Sequence, residues 1–364
     1  LGFQEFRTSE IIKKYLTECG LEVSSVAKTG VVGLLRGKQP GKTLLLRADM
    51  DALPVQEQND LPYKSIYEGK MHACGHDGHM AMLLVAAKIL ARHKDEFKGN
   101  IKFVFQPNEE DAGARFMVEE GILENPTVDA AMAIHLWSPI ESGKIGISAG
   151  PVMAEHFNFK LILEGVGGHT SAPHSSIDPI ICAANIIQTV QVIQTREVDA
   201  LKPTLILFGK INGGTASNII PDKVELEGTI RCLYDGGNEG VEQPRARFER
   251  IVKGICEAHR IKFDLQFIPS NYIVNNDPQF SEFVIKEIEK NMGKEIQVIP
   301  YVCMGGEDFS EFCQDRPGAL VFIGTGNPDK KTNYPHHHPN FNIDEDTLSI
   351  GTEIHIRTAL AYLK

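Results

Sequence analysis

The feature that most constrains this chain is a recurring couplet in which a short apolar run gives way to a helical stretch and then to another apolar run. Residues 31–35, 43–46, 100–106 and 129–136 read as strands. Between them, residues 80–90 read as a helix with Leu83, Leu84, Ala87 and Leu90 on one face. Strands separated by helices pair in parallel, so the expected class is α/β, a mainly parallel sheet flanked by helices. Ligands of such sheets bind beyond the carboxyl ends of the strands. The sequence puts Asp49, Asp51, Glu109, Glu110 and His135 there.

The texture changes near Ala154. Residues 157–164 alternate as a half-buried strand, a glycine-rich turn leads to His169, and residues 178–194 form an amphipathic helical stretch. Strands at 204–210 and 223–233, a helix at 243–259 and a strand at 263–268 complete a β-α-β-β-α-β order. That order predicts a small ferredoxin-like α+β domain. The βα texture resumes with helices at 280–292 and 350–363. Residues 1–153 and 267–364 are therefore expected to form one discontinuous domain, with a lid-like domain inserted at 154–266. A chain of 364 residues accommodates both cores.

Composition narrows the partners. A net charge of -11 without a basic tract argues against nucleic acid. No apolar run approaches the roughly 20 residues of a membrane helix. Seven scattered cysteines fit a reducing cytoplasm, where thiols are buried or bound to metal rather than bridged. Leu1-Gly2-Phe3 is not an initiator start and no signal peptide opens the chain, so a trimmed N-terminus is expected.

The chemistry lies in Cys74-Gly75-His76-Asp77, Glu109-Glu110, His135 and His336-His337-His338. A thiolate, imidazoles and carboxylates converging at strand ends suit one or two transition-metal ions. A spare adjacent carboxylate suits the base that a metal-activated water needs. A tight turn at Gly75 lets Cys74 and His76 face one ion, although Cys74 could instead be a nucleophile activated by His76. Adjacent glutamates in extended backbone point apart, leaving one to bind metal and the other to meet the water. A surface pair at a helix start is the plain alternative. His135 is open between ligand and core residue, and the histidine run between ligand and exposed tract. Asp51 and Asp77 are expected to orient ligand imidazoles.

Several stretches recur in the order of one known family: Leu1-Gly2-Phe3-Gln4-Glu5, Arg47-Ala48-Asp49-Met50-Asp51-Ala52-Leu53-Pro54 and His72-Ala73-Cys74-Gly75-His76-Asp77-Gly78-His79. They are followed by Phe105-Gln106-Pro107-Asn108-Glu109-Glu110, Gly167-Gly168-His169, Asn218-Ile219-Ile220-Pro221, Gly306-Glu307-Asp308-Phe309 and His337-His338-Pro339. The chain resembles the dinuclear metallopeptidase and aminoacylase family, in the branch of hippurate hydrolases, N-acyl-amino-acid amidohydrolases and auxin-conjugate hydrolases. The resemblance implies two divalent ions per subunit, zinc, manganese, cobalt or nickel, held by Cys74, His76, Glu110, His135 and His337. It makes Glu109 the general base, with Asp51 and His169 in the catalytic set and Asn218 and Arg231 binding substrate.

It further implies amide cleavage of an N-acyl amino acid and a homodimer formed through the inserted domain, whose His169 reaches the partner's site. Asp49-Met50-Asp51 stands where distant branches carry His-x-Asp, and Asn108 where a small residue is usual. A dipeptidase or carboxypeptidase using the same site is the alternative reaction. A catalytically silent metal-binding or ligand-sensing relative is the alternative class.

Overall fold

In the computed structural model, which describes residues 1–234, 243–293 and 296–364, the apolar run ending at Asp49 is a strand without an exposed side chain. The first elements in chain order are α1 (Phe6–Glu18), β1 (Glu22–Val26), β2 (Gly30–Arg36), β3 (Thr43–Asp49), α2 (His76–Arg92) and β4 (Asn100–Gln106). They are followed by α3 (Ala114–Glu119), β5 (Ala130–Glu141), β6 (Lys144–Gly146) and β7 (Gly150–Met153). Then come β8 (Glu155–Glu164), β9 (Gly168–His169), α4 (Pro179–Thr189), β10 (Thr204–Gly213), β11 (Ile219–Ile220), β12 (Lys223–Cys232), α5 (Pro244–His259) and β13 (Lys262–Asn271). The chain ends with β14 (Val274–Asn276), α6 (Pro278–Asn291), β15 (Gln297–Ile299), β16 (Gly318–Gly326) and α7 (Leu348–Tyr362). Among the described residues no helix is long and apolar enough to cross a membrane.

Contacts divide the chain into two units, one of Leu1–Val152, Val274–Cys303 and Glu307–Lys364, the other of Met153–Ile273 and Met304–Gly306. The first unit carries an eight-stranded sheet in the order β1-β2-β4-β3-β5-β16-β6-β15. Its centre, β4-β3-β5-β16, is parallel throughout. Strands covered on both faces need no polar alternation, and Leu44, Leu46, Phe103, Met132, Ile134 and Val321 share one core with Leu83, Ala87 and Leu90 of α2. Gly78 lets α2 lie close to β5, because a Cβ there would come within 2.5 Å of the Leu136 side chain.

In the second unit β10-β12-β8-β13 form an all-antiparallel sheet. Phe159, Leu161 and Leu163 of β8 bury one face against Cys182 and Ile186 of α4 and Phe248, Val252 and Cys256 of α5. Asp178 caps α4 by accepting the Ile180 N–H, with Pro179 at the first helical position.

Some elements differ from the sequence reading. Strand β5 runs six residues past His135 because its pairing with β16 continues beyond that point, so His135 sits inside a strand and not at its end. The boundary expected after residue 266 falls within β13, whose pairing to β8 carries it to Asn271. The helical stretch at 178–194 ends as α4 at Thr189, with a separate turn at Ile193–Glu197.

Candidate metal centre

Two residues beyond β3, the Asp51 carboxylate accepts the backbone N–H of Glu109 (3.1 Å) and of Glu110 (3.2 Å). It thereby closes the short helical turn Glu109–Asp111 that follows β4. The glutamates are thus in a turn and not in extended backbone, and both carboxylates approach His76 instead of diverging. Asn108 precedes them with φ 55°, a left-handed conformation that asparagine tolerates. Its side chain donates to the Asp111 carbonyl (3.0 Å), and its own N–H donates to Glu5 (3.1 Å).

Gly75, at φ 86°, turns the chain between Cys74 and the start of α2. His76 opens the helix and donates from Nδ1 to the Asp51 carbonyl (3.0 Å), which leaves Nε2 bare. That nitrogen is buried, has no hydrogen-bond partner, and lies 3.9 Å from Glu109 Oε2. His135 donates from Nδ1 to the Leu136 carbonyl (2.8 Å), and its Nε2 lies 3.7 Å from Cys74 Sγ. His337, at φ 66°, has Nε2 3.3 Å from Glu110 Oε1. Its neighbours point elsewhere: His336 bonds the Leu136 carbonyl and His338 stacks on Tyr334.

The ligand atoms of Cys74, His76 and His135 lie within 4.8 Å of one another, as do those of Cys74, Glu110 and His337. The two sets share Cys74. Thiolate, imidazole and carboxylate together suit a transition metal. His76 Nε2 and Glu110 Oε1 are buried without hydrogen bonds, an arrangement that costs about 1–3 kcal/mol per atom unless a ligand satisfies it. The residues present therefore fit a pair of metal ions. Burial, with the nearby charges of Glu307 and Glu110, holds the Glu109 carboxyl well above its ordinary pKa.

Beneath the cluster lies a charge network that sequence reasoning left without a role. Arg47, fully buried, donates to Gln106 (2.8 Å), Asp49 (2.7 Å), Glu307 (2.8 Å) and Asp308 (3.1 Å). Asp49 also accepts from His79 Nδ1 (2.6 Å). His79 Nε2 accepts the Leu136 N–H (2.8 Å), so both ring nitrogens are used and His79 has no lone pair for a metal. Asp77, expected to orient an imidazole, is exposed and accepts the adjacent Gly78 N–H instead (3.0 Å). A lone arginine inside an apolar strand was the available signal for this network.

The remaining candidates belong to the second unit. His169 on β9 is exposed, and its Nδ1 accepts the Ser171 N–H (3.0 Å), which puts the ring hydrogen on Nε2. Asn218 lies beside it, its carbonyl accepting the Thr170 N–H (3.2 Å). Arg231 is on another sheet, near the end of β12, where it donates to the Met304 carbonyl (2.9 Å).

Fold and site together define a metal-dependent hydrolase of α/β architecture. The chain belongs to peptidase family M20/M25/M40, whose sequence pattern matches residues 45–361. It is 40% identical over 369 residues to thermostable carboxypeptidase 1 of Saccharolobus solfataricus, covering all of this chain and 92% of that protein. It is 44% identical over 270 residues to the N-acyl-L-amino acid amidohydrolase of Geobacillus stearothermophilus, covering 73% of this chain and 72% of the other. The crystal structure of the YXEP protein of Bacillus subtilis, described as a dinuclear metal binding peptidase from the M20 family, superimposes with a TM-score of 0.84 at 32% identity. That match covers 100% of this chain and 94% of the other. The family that the motifs resemble is the family of the chain, and the chain is a hydrolase of amide bonds.

Proposed function

We propose that the chain is a two-metal amidohydrolase that cleaves N-acyl amino acids, or similar conjugates, to a carboxylic acid and a free amino acid. The observation that carries this reading is the pair of ligand sets sharing Cys74, with the Glu109 carboxylate beside them. Cys74, His76, Glu110, His135 and His337 hold two divalent ions of the zinc, manganese, cobalt and nickel group. Ions at these ligands would supply Lewis acidity toward the amide carbonyl and bring a water's pKa to about 7.

Glu109 takes the proton of the attacking water and returns it to the leaving nitrogen, a role worth about 10²–10⁴-fold. Asp51 is a positioning group, fixing the backbone of both glutamates. His169, with its hydrogen on Nε2, donates to the carbonyl oxygen as charge develops there. Asn218 and Arg231 bind the substrate's carbonyl and carboxylate. The enzyme works in the cytoplasm, in keeping with its seven free thiols, as a homodimer formed through the second unit. Identity to a carboxypeptidase favours peptide cleavage as the second reading, with the same residues in the same roles.

The test is hydrolysis of N-acetyl, N-benzoyl and indolyl-acetyl amino acids and several dipeptides, before and after chelation and with metal restored. Amino acid release that stops on chelation and returns with one ion is expected, with Glu109→Gln binding metal yet losing at least 10²-fold in kcat. Turnover that survives metal removal and dies on thiol alkylation would make Cys74 a nucleophile and overturn the reading. Full activity in Glu109→Gln would remove Glu109 from the proton path.

A further inference from the structure

We infer that the main chain of Leu136 aims the metal ligands and that His79 and His336 are positioning residues acting through it, His79 at its N–H and His336 at its carbonyl. Leu136 directly follows His135 on β5 and is fully buried. Its carbonyl accepts two hydrogen bonds, from His135 Nδ1 (2.8 Å) and from His336 Nε2 (3.0 Å). A carbonyl oxygen has two lone pairs, so its capacity is filled. Its N–H goes to His79 Nε2 (2.8 Å), and His79 passes the restraint on to Asp49 (2.6 Å) and so to Arg47 (2.7 Å).

Each bond fixes a tautomer. A carbonyl cannot donate, so His135 carries its hydrogen on Nδ1 and presents a bare Nε2 toward Cys74. His336 for the same reason carries its hydrogen on Nε2. The His336 ring is packed against Trp137 at 4.3 Å and Phe341 at 4.8 Å between centroids, so it is anchored by its rings as well as by its bond. His337 is the next residue, and its left-handed φ of 66° starts from that anchor. One carbonyl thus orients a ligand in each set: His135 directly, and His337 through its neighbour. The inference rests on the reading of His135 and His337 as ligands.

Histidine ligands held by such outer partners lose about 10–100-fold in metal affinity when the partner is removed. The experiment titrates cobalt(II) into metal-free wild type, His336→Phe, His336→Gln and His79→Leu, following visible absorption and binding heat. His336→Phe keeps the aromatic packing and loses only the donor, whereas His336→Gln restores an N–H. Wild type is expected to bind two ions per chain. His336→Phe should weaken one of them 10–100-fold with an altered cobalt spectrum, and His336→Gln should recover most of the loss. His79→Leu should weaken the ion bound by His135.

The unfolding temperature of metal-free His336→Phe should stay close to that of wild type. Wild-type affinities and spectra in His336→Phe and His79→Leu would overturn the inference. So would a loss of metal that only tracks a fall in metal-free stability, or a loss that His336→Gln fails to repair. Failure of wild type to take up two ions would instead sink the two-metal reading and this inference with it.

Discussion

Arg47 shows at the scale of one residue why the site's charges can be buried at all. Its guanidinium faces three carboxylates, those of Asp49, Glu307 and Asp308, each about 1% exposed or less. Removing one partner from a buried ionic network leaves the others uncompensated, which costs about 3–5 kcal/mol. Arg47→Met is therefore expected to lower the unfolding free energy of the metal-free protein by that amount, read from urea midpoints at constant slope. Arg47→Lys should fall between, since an ammonium keeps the charge and loses the planar fork that reaches several acceptors. A change below about 1 kcal/mol in Arg47→Met would mean that the carboxylates are already protonated in the folded state. Little of this network was legible in the sequence, because apart from Asp49 its partners are far from Arg47 along the chain: 260 residues separate Arg47 from Glu307, and 30 separate His79 from Asp49. The candidate ligands stood out more readily, since cysteine and histidine bring their chemistry with them.

Elements decide what single residues leave open. Asp77 and His79 both sit in the first turn of α2, and a helix with about 3.6 residues per turn sends positions 76 and 79 to one side and 77 to another. Of the two aspartates expected to orient ligand imidazoles, Asp51 bonds His76 through its carbonyl, whereas Asp77 lies on the other side of the helix, away from the ligands. Strands β3 and β4 were legible because each carries an unbroken apolar run, residues 44–46 and 103–105, whereas β16, equally buried, carries three glycines that weaken a strand signal. Strand β8 supplies a prediction of its own. Burial pushes the Glu155 carboxyl up to about 7, and the Arg245 charge offsets this only in part. An acid with a raised pKa penalises the folded state once it ionises. The penalty is absent below the unfolded value near 4.5, grows as pH rises through the folded value near 7, and is complete above it. Glu155→Gln should accordingly match wild type in stability at pH 4 and exceed it at pH 8, measured as paired thermal unfolding curves. A constant offset at both pH values would show that the carboxyl is not the cause.

At the scale of the molecule, β10 is an edge of its sheet, and beside the bulge between Phe208 and Lys210 it still presents large apolar side chains to solvent. Leu207 is 57% exposed and Ile211 58% exposed. Edge strands left bare recruit another strand, and a homodimer solves this most simply by a two-fold axis that lays one edge antiparallel to its own copy. That geometry offers a seam for the proposed dimer and makes it testable through charge. The double variant Leu207→Lys with Ile211→Lys is expected to convert a dimer to a monomer in light scattering after size exclusion, without changing metal uptake in the first unit. If His169 serves the partner's site, the monomer should bind two ions and hydrolyse substrate at least 10²-fold more slowly, the scale of losing one donor to a developing oxyanion. A variant that stays dimeric would place the seam elsewhere. A monomer with full turnover would show that each chain completes its own site, and His169 would then act at home or not at all.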